Sequence, residues 1–354
     1  MNVHDRIEAA LKGQLADQVP FTIYSNKIPK GEAERRLRGK GLGFSWRQNI
    51  IDWEYPNCDI RTVTWRKDGQ DLSRTIYSTP VGEIYEVNRL EGEYGSTWKV
   101  EWPVKTREDY RVMTYVTRDA RPVPLYDEFA RTMKNVGGDG FVVANFLYEP
   151  LMYIIVNCTG FEAFAYHMVD WPDEFWSLHD ALVEKTRRAY PVAAAGPQYL
   201  TLFGGNDHPA VLGRERFAKY NVPRYNEFAD ILHERGKILA CHLDANNAEW
   251  ADLVAASKLD AVEAFTPPPD CNLSVADARR AWPNKVLSLN FPSSLHLASR
   301  EVIREATVEI LRQAGDGSRL LMGITEDVPA DCWEKSLETI ADTLNEFGRL
   351  PLKV

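Results

Sequence analysis

Residues 238–247 read ILACHLDANN. A short apolar run ends in His242, and Asp244 follows two residues later. Residues two apart on a strand point to the same side, so the imidazole and the carboxylate project together while Cys241 faces the other way. A helical pattern begins at about residue 247, so the stretch is typical of a strand, a loop and a helix in succession.

The same succession repeats along the chain after about residue 120. Apolar runs typical of buried strands lie at 141–146, 199–203, 261–265, 286–290 and 320–323, and helical segments at 125–136, 148–157, 173–192, 213–235, 247–257, 299–314 and 333–347. This alternation predicts βα units on a parallel sheet. Together with a strand at 19–24 and the one that ends at His242, these runs give seven candidate strands of a parallel sheet. An eighth strand, in a part of the chain without clear periodicity, would close a TIM (β/α)8 barrel. A doubly wound open sheet is the structural alternative.

Residues 60–101 have a different pattern. Four segments that alternate and are rich in β-branched and aromatic residues lie at 60–65, 72–77, 82–87 and 96–100, separated by turn residues. They predict an antiparallel β meander near the N-terminus. We therefore expect an α/β fold in which 1–354 is a single TIM-barrel domain with a β insertion at about 60–101.

The composition narrows the class of protein. The chain has 354 residues, a formal net charge of −9, 44% hydrophobic and 26% charged residues, and five scattered cysteines. The acidic balance argues against nucleic acid as a partner. No apolar run approaches the roughly 20 residues that span a bilayer, and the cysteines fit reduced thiols, so we expect a cytoplasmic protein with no membrane contact.

Polar side chains gather where the predicted strands end, which is where a TIM barrel places its active site. Carboxylates this close together repel each other, and burying them unpaired is costly. Because only Lys27 among the cationic residues stands near a strand end, a divalent metal is the predicted compensation. Imidazole and carboxylate ligands suit zinc, manganese or iron. The residues at strand ends are Tyr24, Tyr148, Asp207, His208, His242, Asp244, Glu263 and Glu326.

The alternative interpretation involves no metal. His242 would be a hydrogen-bonded core histidine, and Asp244 would cap the helix that begins near Asn246. Glu263 and Glu326, at the corresponding ends of other strands, favour the metal.

Several segments resemble the uroporphyrinogen decarboxylase superfamily in their order and spacing. The segments are DQVPF at 17–21, STPVGEIYE at 78–86, WPVKTREDY at 102–110, RERFAKYNVPRYNEFADILHERGKILACHLDANN at 214–247, VADARRAWPNKV at 275–286 and GITEDVP at 323–329. The resemblance implies a TIM barrel. The arginine-rich RQAGRY segment of the decarboxylases is replaced here by YSNKIPKGE at 24–32, which puts porphyrinogen decarboxylation in doubt.

The corrinoid-linked methyltransferases of the superfamily are the better match. They hold zinc through an H-x-C pair and a later cysteine, and the related cobalamin-independent methionine synthases add a glutamate. The resemblance places His242 and Asp244 at the H-x-C pair, Glu263 at that glutamate and Glu326 near the last cysteine. A carboxylate thus replaces each thiolate, and an oxygen-rich ion is the stronger Lewis acid for polarising an ether oxygen. Glu263 is a ligand or, instead, orients His242 through its other ring nitrogen.

The resemblance therefore implies a metal-dependent methyltransferase of the O-demethylase type, with zinc or another divalent metal as its cofactor. It would move a methyl group from a small methoxylated aryl ether to a corrinoid on a partner protein, because the chain has no DxHxxG segment of its own. An acid must protonate the leaving oxygen, and Asp207 or His208 is favoured over Tyr24 and Tyr148. A decarboxylase or other lyase is the main alternative and a non-catalytic binding protein a third. The sequence leaves open whether two copies of the chain form a homodimer.

Overall fold

The fold is that of a computed structural model, which describes residues 1–90 and 97–353. The described residues form fourteen strands. In chain order they are β1 Phe21–Tyr24, β2 Leu42–Asn49, β3 Ile51–Glu54, β4 Asp59–Lys67, β5 Gln70–Thr79, β6 Gly82–Leu90, β7 Thr97–Glu101, β8 Arg121–Pro124, β9 Gly140–Asn145, β10 Leu200–Leu202, β11 Ile238–His242, β12 Ala261–Phe265, β13 Val286–Leu289 and β14 Leu320–Ile324.

Eight of these strands close a parallel barrel, which confirms the predicted TIM barrel. The order around it is β1, β2, β9, β10, β11, β12, β13, β14 and back to β1. All seven strands predicted from the sequence belong to it. The open doubly wound sheet is excluded because β14 pairs with β1, where Met322 lies opposite Phe21.

The eighth strand is β2, which lies between β1 and β9. Its sequence, LGFSWRQN, has little of the continuous apolar character that marks the other barrel strands. Side chains two apart on it share a face, so Ser45 and Arg47 point to the same side.

Helices alternate with the barrel strands along the chain. They are α1 Val3–Leu11, α2 Glu32–Gly39, α3 Arg107–Asp119, α4 Tyr126–Val136, α5 Pro150–Tyr153, α6 Phe161–Asp170, α7 Pro172–Ala195, α8 Pro209–Leu212, α9 Arg214–Arg216, α10 Val222–His233, α11 Ala251–Ala256, α12 Val275–Ala281, α13 Arg300–Gln313 and α14 Trp333–Phe347. The segments predicted at 148–157 and 213–235 each contain a π-helical turn, at Ile154–Thr159 and Phe217–Asn221. The sequence analysis missed α2, α3, α6, α8 and α12.

The amino end of the barrel is closed by α1. Asn2 accepts a hydrogen bond from the Asp5 backbone N–H at 2.8 Å, and the Asp5 carboxylate accepts one from the Asn2 N–H in return. This capping box fixes where α1 starts. Ile7 and Leu11 on α1 then pack with Phe141 and Leu200 of the barrel strands in one apolar cluster. Because this apolar cluster fills the amino end of the barrel, the polar end is the one formed by the carboxyl ends of the strands.

The β meander is also present. It consists of β4, β5, β6 and β7 in antiparallel order, while β3 pairs with β8 in a separate two-stranded sheet. Ser96, which begins the last predicted segment, lies outside the described residues. By their contacts, the described residues form two compact units, 1–49 with 127–146 and 197–354, and 50–126 with 147–196. The barrel belongs to the first unit and the meander to the second.

No helix in residues 1–90 and 97–353 has both the length and the apolar character that crossing a membrane requires.

Candidate functional site

His242 is the last residue of β11, and its ring lies between two carboxylates. Nε2 is 3.2 Å from Asp244 Oδ2, and Nδ1 is 2.5 Å from Glu263 Oε2. The pairing of β11 with β12 sets His242 directly opposite Glu263, which explains why two residues 21 positions apart in the chain meet. The structure thus brings together three of the predicted metal ligands, with Glu263 on the ring nitrogen remote from Asp244.

A distortion of β12 accompanies the placement of Glu263. The register between β12 and β13 shifts between Glu263 and Phe265, and Ala264 between them has a φ of 56°. A positive φ is uncommon for a residue with a side chain, and it costs of order 1–3 kcal/mol. Such bulges re-aim side chains beside active sites. The buried Ala264 gave no sign of this in the sequence.

Arg47 on β2 reaches the same cluster from a strand that does not neighbour β11 or β12. Its Nη2 lies 2.8 Å from Glu263 Oε2 and 3.1 Å from His242 Nδ1, and it also contacts the Tyr24 hydroxyl. The guanidinium carbon lies 4.1 Å from the centroid of the Tyr24 ring, a cation–π contact. The sequence analysis missed this residue because it did not recognise β2 as a strand.

Tyr24, the last residue of β1, completes the cluster. Its hydroxyl donates a hydrogen bond of 2.5 Å to Glu263 Oε1. Burial and the neighbouring Glu263 hold the pKa of the phenol well above its ordinary value, so it stays protonated and remains a donor. Glu263 therefore accepts from Tyr24 on one oxygen and faces Arg47 and His242 with the other.

The charges of this cluster compensate one another. Burial alone would raise the pKa of Glu263, but Arg47 and His242 lower it to about 2. Burial alone would lower the pKa of His242, but Glu263 and Asp244 raise it to about 10. The pKa of Asp244 is lowered by His242 against its own burial. At neutral pH two cations, Arg47 and His242, thus face two carboxylates.

Glu326 follows β14 and has an exposed side chain. Partial desolvation and the negative charge of Asp244 raise the pKa of its carboxyl group. Its neighbour Asp327 pairs with Lys27, whose Nζ lies 2.7 Å from Asp327 Oδ1. Lys27 therefore neutralises the negative charge of Asp327 in the loop after β14. Arg47 neutralises that of Glu263 at the centre of the site.

Asp207 lies behind β11 and is fully buried. Its carboxylate accepts hydrogen bonds from the Tyr225 hydroxyl at 2.5 Å and from Asn221 Nδ2 at 3.0 Å, and Cys241 Sγ lies 3.7 Å away. Burial raises the pKa of Asp207 to about 7. Cys241 is on the side of β11 away from His242, as predicted, so Asp207 contacts the opposite face of the strand.

The other predicted acids occupy different positions. His208 caps α8, because its Nδ1 accepts a hydrogen bond of 3.0 Å from the Ala210 N–H. Tyr148 belongs to the second unit, 50–126 with 147–196. Glu149 caps α5, because its carboxylate accepts hydrogen bonds from the N–H groups of Leu151 and Met152 at 2.9 and 3.2 Å. The catalytic roles of Asp207, His208, Tyr24 and Tyr148 stay predictions.

The four residues predicted to bind a metal are not arranged around a common point in the structure. In the part of the chain that the structure describes, no three His, Cys, Asp or Glu side chains are grouped so that they could hold an ion. His242 Nε2 and Asp244 face each other, but the Nδ1 side is taken by Glu263 and Arg47. A catalytic zinc site has three protein ligands. The described residues therefore do not fit the predicted set of four ligands, and zinc binding stays a prediction.

Comparison with known proteins gives two kinds of match. The sequence model of the family described as "Uroporphyrinogen decarboxylase (URO-D)" matches residues 89–347. A methyltransferase from Methanosarcina mazei is similar in structure, with a TM-score of 0.59 at 12% identity over 98% of this chain and 99% of that one. A B12-independent methionine synthase from Shewanella sp. has a TM-score of 0.40 at 9% identity over 93% of this chain and 98% of that one. A search of curated proteins finds no match.

Proposed function

The chain belongs to the uroporphyrinogen decarboxylase family, and from that premise we propose that it is an enzyme that transfers a methyl group. The donor is a methoxylated aromatic ether, and the acceptor is a corrinoid on a partner protein. The observation that supports this is the position of His242 between Asp244 and Glu263 at the carboxyl end of the barrel. The likeness to the Methanosarcina methyltransferase concerns the fold alone.

The chemistry requires a proton for the leaving oxygen. When the methyl carbon bonds to the acceptor, the carbon–oxygen bond breaks and its electron pair stays on the oxygen as a phenoxide. Glu263 and Asp244 raise the pKa of His242 against its burial, so the ring is protonated at neutral pH and can act as a proton donor. We therefore assign the acid to His242, whose Nε2 lies 3.2 Å from Asp244 Oδ2.

Each surrounding residue then has a task that its contacts support. Glu263 orients the ring from Nδ1 and stabilises the imidazolium, as an orienting carboxylate does for other catalytic histidines. Arg47 and Tyr24 hold Glu263 ionised and in place. Asp244 is the carboxylate partner of the Nε2–H group and holds it in position until the proton is delivered to the leaving oxygen. No step of this proposal depends on a metal ion.

The test is methyl transfer from methoxylated aromatics to cob(I)alamin, followed by absorbance. We expect His242→Gln to lower the rate by about 10²- to 10⁴-fold, the usual contribution of a general acid. The loss should shrink for donors whose phenols are more acidic, since their oxygen needs less help from a proton. His233→Gln is the matched control, because His233 is exposed and pairs with Asp260 away from the site.

A carboxy-lyase is the second candidate, and one observation favours it. Arg47 and protonated His242 place two cations side by side, which is how a substrate carboxylate is held. If no methoxylated aromatic reacts and a carboxylated substrate releases carbon dioxide, methyl transfer is the wrong assignment and the lyase takes its place. If Asp207→Asn, but not His242→Gln, slows methyl transfer, the acid is Asp207 instead.

A further inference from the structure

We infer that Arg47 takes the place of a divalent cation in this site, so that the His242 cluster is a metal-independent centre whose positive charge is a guanidinium. The inference rests on the proposed function only in taking this cluster as the reactive centre. Three of the four residues predicted to bind zinc lie together, but the space between His242 and Glu263 is occupied by the guanidinium of Arg47.

The first support is the position of one nitrogen atom. Arg47 Nη2 is within 3.1 Å of both His242 Nδ1 and Glu263 Oε2, and it also contacts the hydroxyl of Tyr24. The carboxylate oxygen and the phenol oxygen are the kinds of atom that bind a hard cation, whereas Nδ1 of the protonated His242 ring is a donor to Glu263. One positively charged group therefore already lies where Glu263 and His242 converge.

The second support is the way the guanidinium is held. β2 pairs with β9 from Phe44 to Asn49, where Arg47 lies opposite Val143, and β1 pairs with its other edge from Leu42 to Ser45. The guanidinium also stacks on the ring of Tyr24, with its carbon 4.1 Å from the ring centroid. To make room for an ion, Arg47 would have to lose both its ion pair with Glu263 and this cation–π contact. The loss of both contacts makes displacement of the guanidinium unfavourable.

The third support is the balance of charge. With Arg47 present, the buried carboxylate Glu263 has an ion-pair partner at 2.8 Å, and a dication nearby would meet a like charge. Without Arg47, the same cluster would present Glu263, His242 and Asp244 with excess negative charge. Loss of the arginine should thus turn the cluster into a cation site.

The experiment measures bound ions and needs no turnover. Wild type, Arg47→Met, Arg47→Lys and the control Arg35→Met are dialysed with Zn²⁺ or with Mn²⁺, and the ions bound per chain and their affinities are measured by elemental analysis and calorimetry. Arg35 is exposed and pairs with Glu32, so the control removes a guanidinium away from the site. We expect Arg47→Met to gain about one ion per chain with at least about tenfold higher affinity than wild type, since a like charge has gone. Adding His242→Ala to it should abolish the gain, while Arg47→Lys and Arg35→Met behave as wild type.

Two results would overturn the inference. The first is a wild-type chain that keeps about one ion through dialysis and loses it in His242→Ala, which also decides the matter if Arg47→Met does not fold. The second is a folded Arg47→Met chain that gains no ion. A failure of the proposed methyl transfer is distinguishable, because it would leave both ion measurements unchanged.

Discussion

Glu263 is the residue at which the contacts of the site meet. It accepts from Tyr24, pairs with Arg47 and holds Nδ1 of His242, and it is only 6% exposed. Losing any one of these contacts would leave a buried charge with less compensation, which is costly. At the scale of single residues, the site therefore depends on pairing inside the barrel rather than on solvent.

Asp207 offers a prediction about stability and pH. Burial raises its pKa to about 7 from an ordinary value of 3.8, so between these values the folded chain binds a proton that the unfolded chain has released. The stabilisation is complete below about pH 4 and is lost as the pH rises through 7. We expect Asp207→Asn to remove this dependence and to raise the free energy of unfolding at pH 8 by up to about 4 kcal/mol.

The measurement is urea unfolding from pH 4.5 to 8, with Asp59→Asn at an exposed site as the control. A wild-type stability that does not fall over this range would contradict the shift.

At the scale of elements, two strands determine the site. β2 contributes Arg47, and the irregular end of β12 presents Glu263 next to Ala264 with its positive φ. The strain at Ala264 is local, and the surrounding barrel strands hold it in place. A strand end that is bent in this way differs from the regular ladder that the sequence pattern of β12 predicts.

Ala264 supplies the prediction for β12. Glycine adopts a φ of 56° freely, whereas a β-branched side chain at such a φ is a severe outlier. We expect Ala264→Gly to fold and to keep most of the proposed methyl-transfer activity. Ala264→Val should lower the free energy of unfolding by about 2 kcal/mol or more.

Denaturant unfolding and the methyl-transfer rate measure the two effects. Equal stability of the glycine and valine variants would show that the strain at this position is absent.

At the scale of the whole molecule, closure of the barrel brings the cluster together. Arg47 and Tyr24 lie on β2 and β1, and Glu263 lies on β12, which neighbours neither. Their contacts therefore cross the interior of the barrel and exist only when every strand between them is in place.

Gly140 provides a test of this closure. A Cβ atom there would lie 2.3 Å from the backbone oxygen of Phe44, so β9 can approach β2 only with glycine at this position. We expect Gly140→Ala to lower the free energy of unfolding by about 1–3 kcal/mol, the usual cost of overpacking, and to weaken activity through Arg47.

Gly39→Ala on α2, where a Cβ would meet nothing within 4 Å, is the matched control and should be neutral or stabilising. If thermal unfolding gives the two variants the same midpoint, β2 and β9 do not need the close approach.

The alternation of strands and helices, the meander and the closeness of His242, Asp244 and Glu263 could all be predicted from the sequence. These follow from local periodicity and from neighbouring strands, whose ends meet in any parallel barrel. The position of Arg47 beside Glu263 and the direction in which Asp207 faces became visible only in the tertiary structure. β2 has a mixed polar pattern because Ser45 and Arg47 point into a partly polar interior, so periodicity did not reveal it as a strand. A contact across the barrel depends on closure and register, which no local stretch of sequence encodes.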